Sequence, residues 1–117
     1  MEVARVLRRC VRDNDVVVRY GGDEFNIVLK ATSLSVAQQV SDRIRTTLAR
    51  HSFLGREGLN LQITVCIGVA ACPDHAQSPE ELIFLSDRAM YKGKDSTRNL
   101  VIIADPKDLV RPKEPPP

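Results

Sequence analysis

Hydrophobic residues in the first quarter of the chain follow the period of a helix and then the composition of strands. Apolar side chains recur at helical spacing up to about residue 12, at Val3, Val6, Leu7, Cys10 and Val11. This spacing predicts a helix with one apolar stripe. Residues 16–20 and 25–29 are rich in β-branched and aromatic residues and predict two strands. Because Gly21 and Gly22 lie between them, and glycine reaches positive φ without steric cost, we predict a β-hairpin.

The rest of the pattern predicts two further helices and two further strands. Ser33 offers an N-cap for an amphipathic helix that continues to about residue 50. Residues 61–70 alternate between large apolar and mostly small side chains, which predicts a long strand with another element packed closely on its small face. Residues 78–81 read Ser-Pro-Glu-Glu, a helix start with a capping box, and this helix reaches about residue 93. Residues 100–104 predict the last strand.

The order of these elements is helix, strand, strand, helix, strand, helix, strand. It predicts a mixed α/β (α+β) domain in which helices pack against a sheet that contains an antiparallel hairpin. We assign this domain to residues 1–104. Five of the seven prolines lie between residues 106 and 117. Residues 105–117 are therefore predicted to form an extended, poorly ordered tail.

Composition removes several classes of function. The 117 residues carry 17 Lys and Arg against 15 Asp and Glu, a net charge of +2, which does not indicate binding to nucleic acid or to a membrane surface. No apolar run approaches the roughly 20 residues that a membrane span needs. The three cysteines lack metal-like spacing and are predicted to be small core residues in a reducing cytosol. His51 and His75 are predicted to be solvated loop residues without partners.

The segment from Gly21 to Phe25 carries the candidate chemistry. Two adjacent carboxylates, Asp23 and Glu24, lie at a turn built from glycine, with a strand on either side. Such a turn brings bare backbone close to a ligand, and hard cations such as Mg²⁺ bind carboxylate together with phosphate oxygens. These features suit a phosphoryl-transfer site. A tight hairpin with acidic residues in water is the structural alternative.

Residues 21–25 also spell the signature of the GGDEF diguanylate cyclases. The resemblance extends to residues 15–20, which look like the family's strand into the turn, and to residues 63–70, which look like its later strand ending in S-I-G-V-A, with Cys66 in the serine place. Residues 87–94 are similar to the family's A-D-x-A-L-Y-x-A-K helix, and Arg98-Asn99 to the pair just beyond it. The resemblance covers residues 1 to about 104 and implies the mixed sheet of a nucleotidyl-cyclase-like fold.

The resemblance implies an enzyme that condenses two GTP molecules into cyclic di-GMP with release of pyrophosphate, in an antiparallel dimer of two domains. It makes Glu24 a ligand of Mg²⁺ or Mn²⁺ and Asp23 a candidate helper in activating the attacking 3′-hydroxyl. The two glycines would let the turn lie against the nucleotide. Lys94 and Arg98 match the basic pair that neutralises the phosphates. Without the family, these two would be interpreted as solvated charges at a helix end.

A second set of residues matches the family's inhibitory site for its product. Arg12 and Asp15 occupy the R-x-x-D positions at the usual short distance before the signature, and Arg43 matches a secondary contact. Arg12 would bind a phosphate or guanine of cyclic di-GMP, and Asp15 would accept from the guanine edge. The structural alternative is an ordinary arginine at a helix end followed by a turn-forming aspartate.

The sequence departs from the family pattern at its start. The family's first strand, with a metal-binding aspartate in D-x-D-x-F-K, and the following helix that reads guanine have no counterpart in residues 1–117. We therefore expect the first central strand of the sheet to be missing and Mg²⁺ to bind weakly. Three arrangements are open: a fragment of a competent cyclase, a sheet closed with residues 25–29 beside 61–71, or two chains that complete each other.

These considerations predict little or no cyclase activity for the chain alone. The alternative function is a non-catalytic receptor or dimerisation module that binds cyclic di-GMP through Arg12 and Asp15. A third is a purely structural fragment without either ligand. The intact signature favours the cyclase. The predicted location is the cytoplasm, with any membrane anchor of the parent protein supplied by upstream segments.

Overall fold

The structure is a computed structural model, and it describes residues 2–19, 24–94 and 99–109. Its helices are α1 (Glu2–Cys10), α2 (Leu34–Arg50) and α3 (Pro79–Lys94). Its strands are β1 (Val16–Arg19), β2 (Phe25–Val28), β3 (Cys66–Val69) and β4 (Leu100–Ile103). The predicted order of elements and the mixed α+β class are confirmed.

The strands form two separate two-stranded sheets. Strands β1 and β2 pair antiparallel, with Val16 opposite Val28, which confirms the predicted hairpin. Strands β3 and β4 pair in parallel. Within the part of the chain that the structure describes, β2 and β3 are not paired. The sheet is therefore not closed by residues 25–29 lying beside 61–71, which was one of the three arrangements expected.

One hydrophobic core joins α1 and α2 to both sheets. Its buried side chains come from the two helices and from the loop after α2: Val6, Leu7, Cys10, Ile44, Leu48 and Phe53. The hairpin, β3 and the segment before β3 add odd-numbered, half-buried residues: Val17, Phe25, Ile27, Ile63, Val65 and Ile67. Side-chain packing in one core therefore holds the two sheets together, although no strand ladder joins them in the described residues.

A second, smaller core lies under α3. Leu85 and Ala89 of that helix are buried together with Ala76 and Ala104, and Leu85 is 0% exposed. The half-buried residues Ala70, Leu82, Ile102 and Leu109 pack around them. Helix α3 therefore covers the even-numbered face of β3, opposite to the face that reaches the first core.

Strand β3 is shorter than the alternating pattern predicts. Only Cys66–Val69 forms a strand, and Leu61 makes an isolated antiparallel bridge to Phe53. The physical reason is that β4 runs beside only the end of this segment, with Leu100 N donating to Val65 O at 3.3 Å as its first contact. Alternation reports which side chains face the core, but it does not supply a backbone partner.

The close packing predicted on the small face of β3 is confirmed. A Cβ atom at Gly68 would lie 1.9 Å from Ser86 O and 2.7 Å from Met90 N. Both atoms belong to the backbone of α3. The helix therefore lies directly against the strand, at a depth that only glycine allows.

Both predicted helix starts carry the expected serine caps. Ser33 Oγ accepts a hydrogen bond from Val36 N at 3.2 Å. Ser78 Oγ accepts from Glu81 N at 3.1 Å and lies 3.2 Å from the Glu81 carboxylate oxygen, to which it donates. These contacts satisfy N–H groups of the first helical turn, which have no partner within the helix.

Residues 105–109, at the start of the predicted tail, pack against α3. They contain a short 3-10 helix, Pro106–Asp108. Lys92 of α3 forms an ion pair with Asp108, and Leu109 packs against the second core. Residues 110–117 lie outside the described residues, so the poor order expected there stays a prediction.

The expectation that all three cysteines are core residues is only partly right. Cys10 is buried and Cys66 is half-buried, but Cys72 is exposed, and none of these three described cysteines forms a disulfide. Cys72 lies in a turn between β3 and α3, directly before Pro73.

None of the helices in residues 2–19, 24–94 and 99–109 has the length and apolar character needed to span a bilayer.

The two histidines have partners, so the expectation of solvated loop residues is wrong. His51 Nε2 lies 2.6 Å from Glu2 Oε2, and Glu2 also accepts from Leu54 N at 3.0 Å. His75 Nδ1 accepts from Ala71 N at 2.9 Å. The Leu54 N–H and then His51 lower the pKa of Glu2, against the opposing effect of burial. Glu2 thereby attaches the start of α1 to the loop after α2.

The contacts of Glu2 predict an acid-sensitive attachment of α1. Because the folded-state pKa of Glu2 lies below its ordinary value of 4.5, the carboxylate stabilises the fold above that value, and this contribution disappears as the pH falls through the folded-state pKa. We expect Glu2→Gln to lower Tm by about 2–5 °C at neutral pH, and this decrease should shrink steadily as the pH is lowered below 4.5, measured by circular dichroism. The exposed Glu57→Gln is the control. A decrease of the same size at every pH would contradict the prediction.

Candidate functional site

The signature segment connects β1 to β2 at the end of the hairpin. Because Arg19 pairs with Phe25, residues 20–24 form the connection between the strands. Glu24 is half-buried and lies directly before β2. The other members of the predicted turn, Gly21, Gly22 and Asp23, lie outside the described residues. Their contacts with nucleotide, and that of Glu24 with a metal ion, stay predictions.

The predicted phosphate-binding pair begins at the end of α3. Lys94 is the last residue of that helix, and its side chain lies outside the described part of the chain, as does the whole of Arg98. The convergence of Glu24, Lys94 and Arg98 on one ligand therefore stays a prediction.

Arg45 contacts Asn99, the residue that follows Arg98 in the sequence, and this contact was not predicted. Its Nη1 donates to Asn99 Oδ1 at 3.2 Å, and its Nη2 donates to Asp42 Oδ1 at 2.8 Å. Arg45 therefore joins α2 to the residue that precedes β4. The i, i+3 spacing of Asp42 and Arg45 on a helix was a visible signal for their pairing, but nothing in the sequence pointed to Asn99.

Arg12 and Asp15 come together at the junction of α1 and β1. Asp15 Oδ2 accepts from Arg12 N at 3.0 Å and lies 3.4 Å from Arg12 Nε, and Asp15 Oδ1 accepts from Lys30 N at 3.0 Å. The Asp15 side chain is only 2% exposed, while that of Arg12 is 59% exposed. A carboxylate has about four lone-pair positions, and donors of this chain already use three of them. In this structure Asp15 therefore joins two backbone segments: its bond to Arg12 N agrees with the turn-forming aspartate of the structural alternative, and its bond to Lys30 N was not expected.

Arg12 and Arg8 make further hydrogen bonds at the junction of α1 and β1, to backbone carbonyls and to one hydroxyl. Arg12 Nη2 donates to Lys30 O at 2.5 Å and to Thr32 Oγ1 at 2.8 Å. Arg8 Nη1 donates to Asp15 O at 2.6 Å, and Arg8 Nη2 donates to Arg12 O. These contacts of Arg8, Lys30 and Thr32 were not predicted from the sequence.

Arg43, the third predicted contact of the product, caps the end of α1. Its Nη2 donates to Cys10 O at 2.7 Å. Cys10 is the last residue of α1, where the final carbonyls have no partner within the helix. The three residues predicted to bind product thus lie around one junction, and each bonds to the chain itself. Binding of cyclic di-GMP there stays a prediction.

Hydrogen bonding keeps Asp15 ionised. Donation by Lys30 N–H lowers the pKa of Asp15 below its ordinary value, and the N–H and guanidinium of Arg12 add to this effect, while burial opposes it. The negative charge is neutralised within the junction by Arg12. Asp15 therefore presents little free charge to a ligand.

The described residues do not by themselves form a metal site. In residues 2–19, 24–94 and 99–109, no group of three or more His, Cys, Asp or Glu side chains could hold an ion. Glu24 is the one signature carboxylate among them. A single carboxylate binds Mg²⁺ weakly, because this ion needs further oxygen ligands from phosphate or water. That Glu24 is one metal ligand among several stays a prediction.

The chain belongs to the diguanylate cyclase GGDEF domain family, which matches residues 1–100. The matched range includes the signature, both strands of the hairpin and helices α1 to α3. The predicted family is therefore confirmed.

Relatives with this domain are much longer than this chain. Diguanylate cyclase A of Treponema denticola is 34% identical over 103 residues, which are 88% of this chain and 28% of that protein. The response regulator PleD of Caulobacter vibrioides is 38% identical over 104 residues, or 86% of this chain and 22% of that protein. The chain thus spans less than a third of the length of these relatives.

Solved structures of GGDEF domains have the same fold. The GGDEF domain of YfiN (TpbB) from Pseudomonas aeruginosa has a TM-score of 0.80 and 31% identity, covering 89% of this chain and 65% of that one. The coiled coil and GGDEF domain of DgcB from Caulobacter crescentus, in complex with c-di-GMP, has a TM-score of 0.73 and 27% identity, covering 87% and 54%. The predicted nucleotidyl-cyclase-like fold is confirmed.

Proposed function

We propose that this chain is part of a diguanylate cyclase that condenses two GTP molecules into cyclic di-GMP in a dimer of domains. The observation that carries the proposal is the unaltered signature, residues 21–25, at the connection of an antiparallel hairpin in a chain of the GGDEF family. In each condensation the 3′-hydroxyl oxygen of one GTP forms a bond to the α-phosphorus of the other. The bond from that phosphorus to pyrophosphate breaks, and the hydroxyl loses its proton.

Each signature residue has a chemical task in this proposal. Asp23 helps to remove the proton from the attacking hydroxyl, and Glu24 is one ligand of Mg²⁺ or Mn²⁺. The bound ion would neutralise charge on the phosphate oxygens. Gly21 and Gly22 let the backbone approach the nucleotide. Lys94 and Arg98 add positive charge at the phosphates, where charge grows as the bond to pyrophosphate breaks.

The chain alone is expected to have little or no turnover. Two features of the described residues support this expectation: no group of three or more His, Cys, Asp or Glu side chains among them could hold an ion, and no strand among them joins the two sheets. A loosely held ion and an incomplete sheet would leave the two reacting groups poorly aligned, and misplacement by about 1 Å can cost about 100-fold in rate.

The receptor alternative receives less support from the geometry. Asp15 would have to accept from guanine while it already accepts from Lys30 N and Arg12 N, and its side chain is 2% exposed. Arg12 is more available, because its side chain is 59% exposed. A receptor of this kind would therefore depend mainly on Arg12.

Calorimetry on the purified chain distinguishes these functions. We expect GTP with Mg²⁺ to bind, Glu24→Gln to weaken that binding by about tenfold or more, and Glu80→Gln, an exposed glutamate in the first turn of α3, to leave it unchanged. Chromatography of the same mixtures should show no cyclic di-GMP. Clear turnover of GTP would refute the expected inactivity. Absence of GTP binding, with cyclic di-GMP binding that Arg12→Ala abolishes, would replace the cyclase by the receptor.

A further inference from the structure

The last turn of α3 packs closely against β3 and β4 at Gly93, which has no side chain. A Cβ atom at Gly93 would lie 2.4 Å from Cys66 Sγ and 2.3 Å from Ile102 Cδ1. Atoms that are not bonded to each other pack at about 3.5–4.0 Å. The Ile102 carbon is the end of a flexible side chain and can turn away, but the short Cys66 side chain has only one rotatable bond. The thiol therefore occupies the space that a side chain at Gly93 would need.

The Cys66 thiol also binds the backbone of the same turn. Its Sγ donates to Met90 O at 3.3 Å. In an α-helix the carbonyl of Met90 also accepts from the N–H of Lys94, four residues later. The thiol therefore contacts the turn that ends in Lys94, and moving the sulfur away would break this contact.

We propose that Cys66 and Gly93 are a matched pair of positioning residues that set how closely the last turn of α3, and with it Lys94, approaches β3. Both positions depart from the family pattern, with cysteine in the serine place of S-I-G-V-A and glycine in the alanine place of Y-x-A-K. The larger sulfur and the missing methyl group compensate for each other. Only the phosphate-binding role of Lys94 rests on the proposed function; the packing of the pair does not.

A double-mutant cycle tests the pair. The four chains are the wild type, Cys66→Ser, Gly93→Ala and the double variant. We expect Gly93→Ala alone to lower Tm by about 5 °C or more, because the new methyl group displaces the thiol. In the Cys66→Ser background, Gly93→Ala should leave Tm unchanged or raise it. The reasons are that a hydroxyl is smaller than a thiol and that alanine favours a helix over glycine. Equal Tm changes in both backgrounds would overturn the proposal.

A matched glycine controls for helix propensity and general strain. Gly55→Ala places a Cβ no closer than 4.0 Å to Ser52 Oγ, so its effect on Tm should be the same in the wild type and in Cys66→Ser. If Gly93→Ala does not fold, a folded double variant supports the pair. If neither folds, the proposal is overturned, because serine then gives no rescue.

Two further measurements separate positioning from general stability. Alkylation by iodoacetamide, followed by mass spectrometry of each cysteine peptide, should be faster at Cys66 in Gly93→Ala, with the exposed Cys72 as the internal reference. GTP affinity should fall in Gly93→Ala and recover in the double variant. Unchanged alkylation and affinity in a folded Gly93→Ala chain would contradict the proposal. A wild type that binds no GTP would refute the proposed function but leave the Tm and alkylation tests of the pair intact.

Discussion

Gly68→Ala is expected to separate α3 from β3 and to destabilise the fold strongly. The added Cβ of Gly68→Ala would lie 1.9 Å from Ser86 O, 2.7 Å from Met90 N and 2.9 Å from the Ser86 carbonyl carbon. All three are backbone atoms, so no side-chain rotation relieves the overlap. The helix would have to move away as a whole, and Leu85 and Ala89 would leave the second core.

Gly68→Ala should lower the free energy of unfolding by more than a substitution that overpacks an ordinary core. Inserting a methyl group typically costs about 1–3 kcal/mol where side chains can adjust. Because the neighbours of Gly68 are backbone atoms, we expect a loss of more than about 3 kcal/mol. That is a large part of the roughly 5–15 kcal/mol that stabilises a domain. In urea, the unfolding midpoint should fall by more than about 1 M.

Circular dichroism and urea titration of Gly68→Ala measure this effect. Gly55→Ala is the matched control, because its Cβ would meet only Ser52 Oγ at 4.0 Å. The control should keep the midpoint of the wild type within about 0.3 M. A Gly68→Ala chain with the wild-type midpoint would show that α3 does not lie on β3 as described.

The close approach of α3 to β3 was predictable because it leaves a trace in the sequence. Large side chains alternate with small ones over residues 61–70, and the structure places a helix on the small side. The length of the strand was not predictable in the same way. Alternation reflects burial, whereas a strand also needs a neighbour for its backbone, and β4 reaches back only to Val65 O.

Contacts between residues that are far apart in the sequence could not be predicted, for a related reason. His51 contacts Glu2, which lies 49 residues earlier, and neither residue carries a local signal for the other. The same holds for Arg45 and Asn99, which are 54 residues apart. Such pairs form because helices and loops are brought together by the core, and the packing of a core is not encoded in any short segment.

In the candidate site, too, the local features were predictable from the sequence and the long-range contacts were not. The signature, residues 21–25, is a contiguous word, and its position at a hairpin follows from the local pattern of glycine and β-branched residues. The contacts of Arg12 and Asp15 depend instead on the hairpin register. Because Val16 pairs with Val28, β2 ends near the start of β1, and Lys30 follows close enough for its N–H to reach Asp15.

Removing the Asp15 carboxylate should open the junction between α1, β1 and the end of β2. In Asp15→Ala the N–H groups of Arg12 and Lys30 lose their acceptor, and Arg12 Nε loses its ion-pair partner. Buried donors without an acceptor are strongly unfavourable. We expect Tm to fall by about 5–10 °C at neutral pH, although the family resemblance implies a ligand contact for Asp15.

The pH dependence of this effect identifies its cause. The folded-state pKa of Asp15 lies below its ordinary value of 3.8, so the carboxylate stabilises the fold above that value and ceases to do so as the pH falls through the folded-state pKa. The Tm difference between the wild type and Asp15→Ala should therefore shrink in acid. Asp15→Asn, which keeps one carbonyl acceptor, should show an intermediate loss at neutral pH.

Asp13→Ala is the matched control for Asp15→Ala, because Asp13 is exposed and lies in the same turn. It should leave Tm within about 1–2 °C of the wild type at every pH. Cyclic di-GMP added to the wild type separates the two roles of Asp15. If the dinucleotide binds and Asp15→Ala abolishes binding without lowering Tm, Asp15 is a ligand contact. If Asp15→Ala has a lower Tm than the wild type in the absence of cyclic di-GMP, Asp15 is a structural residue of the junction that precedes the signature. Its carboxylate then stabilises the fold without any ligand.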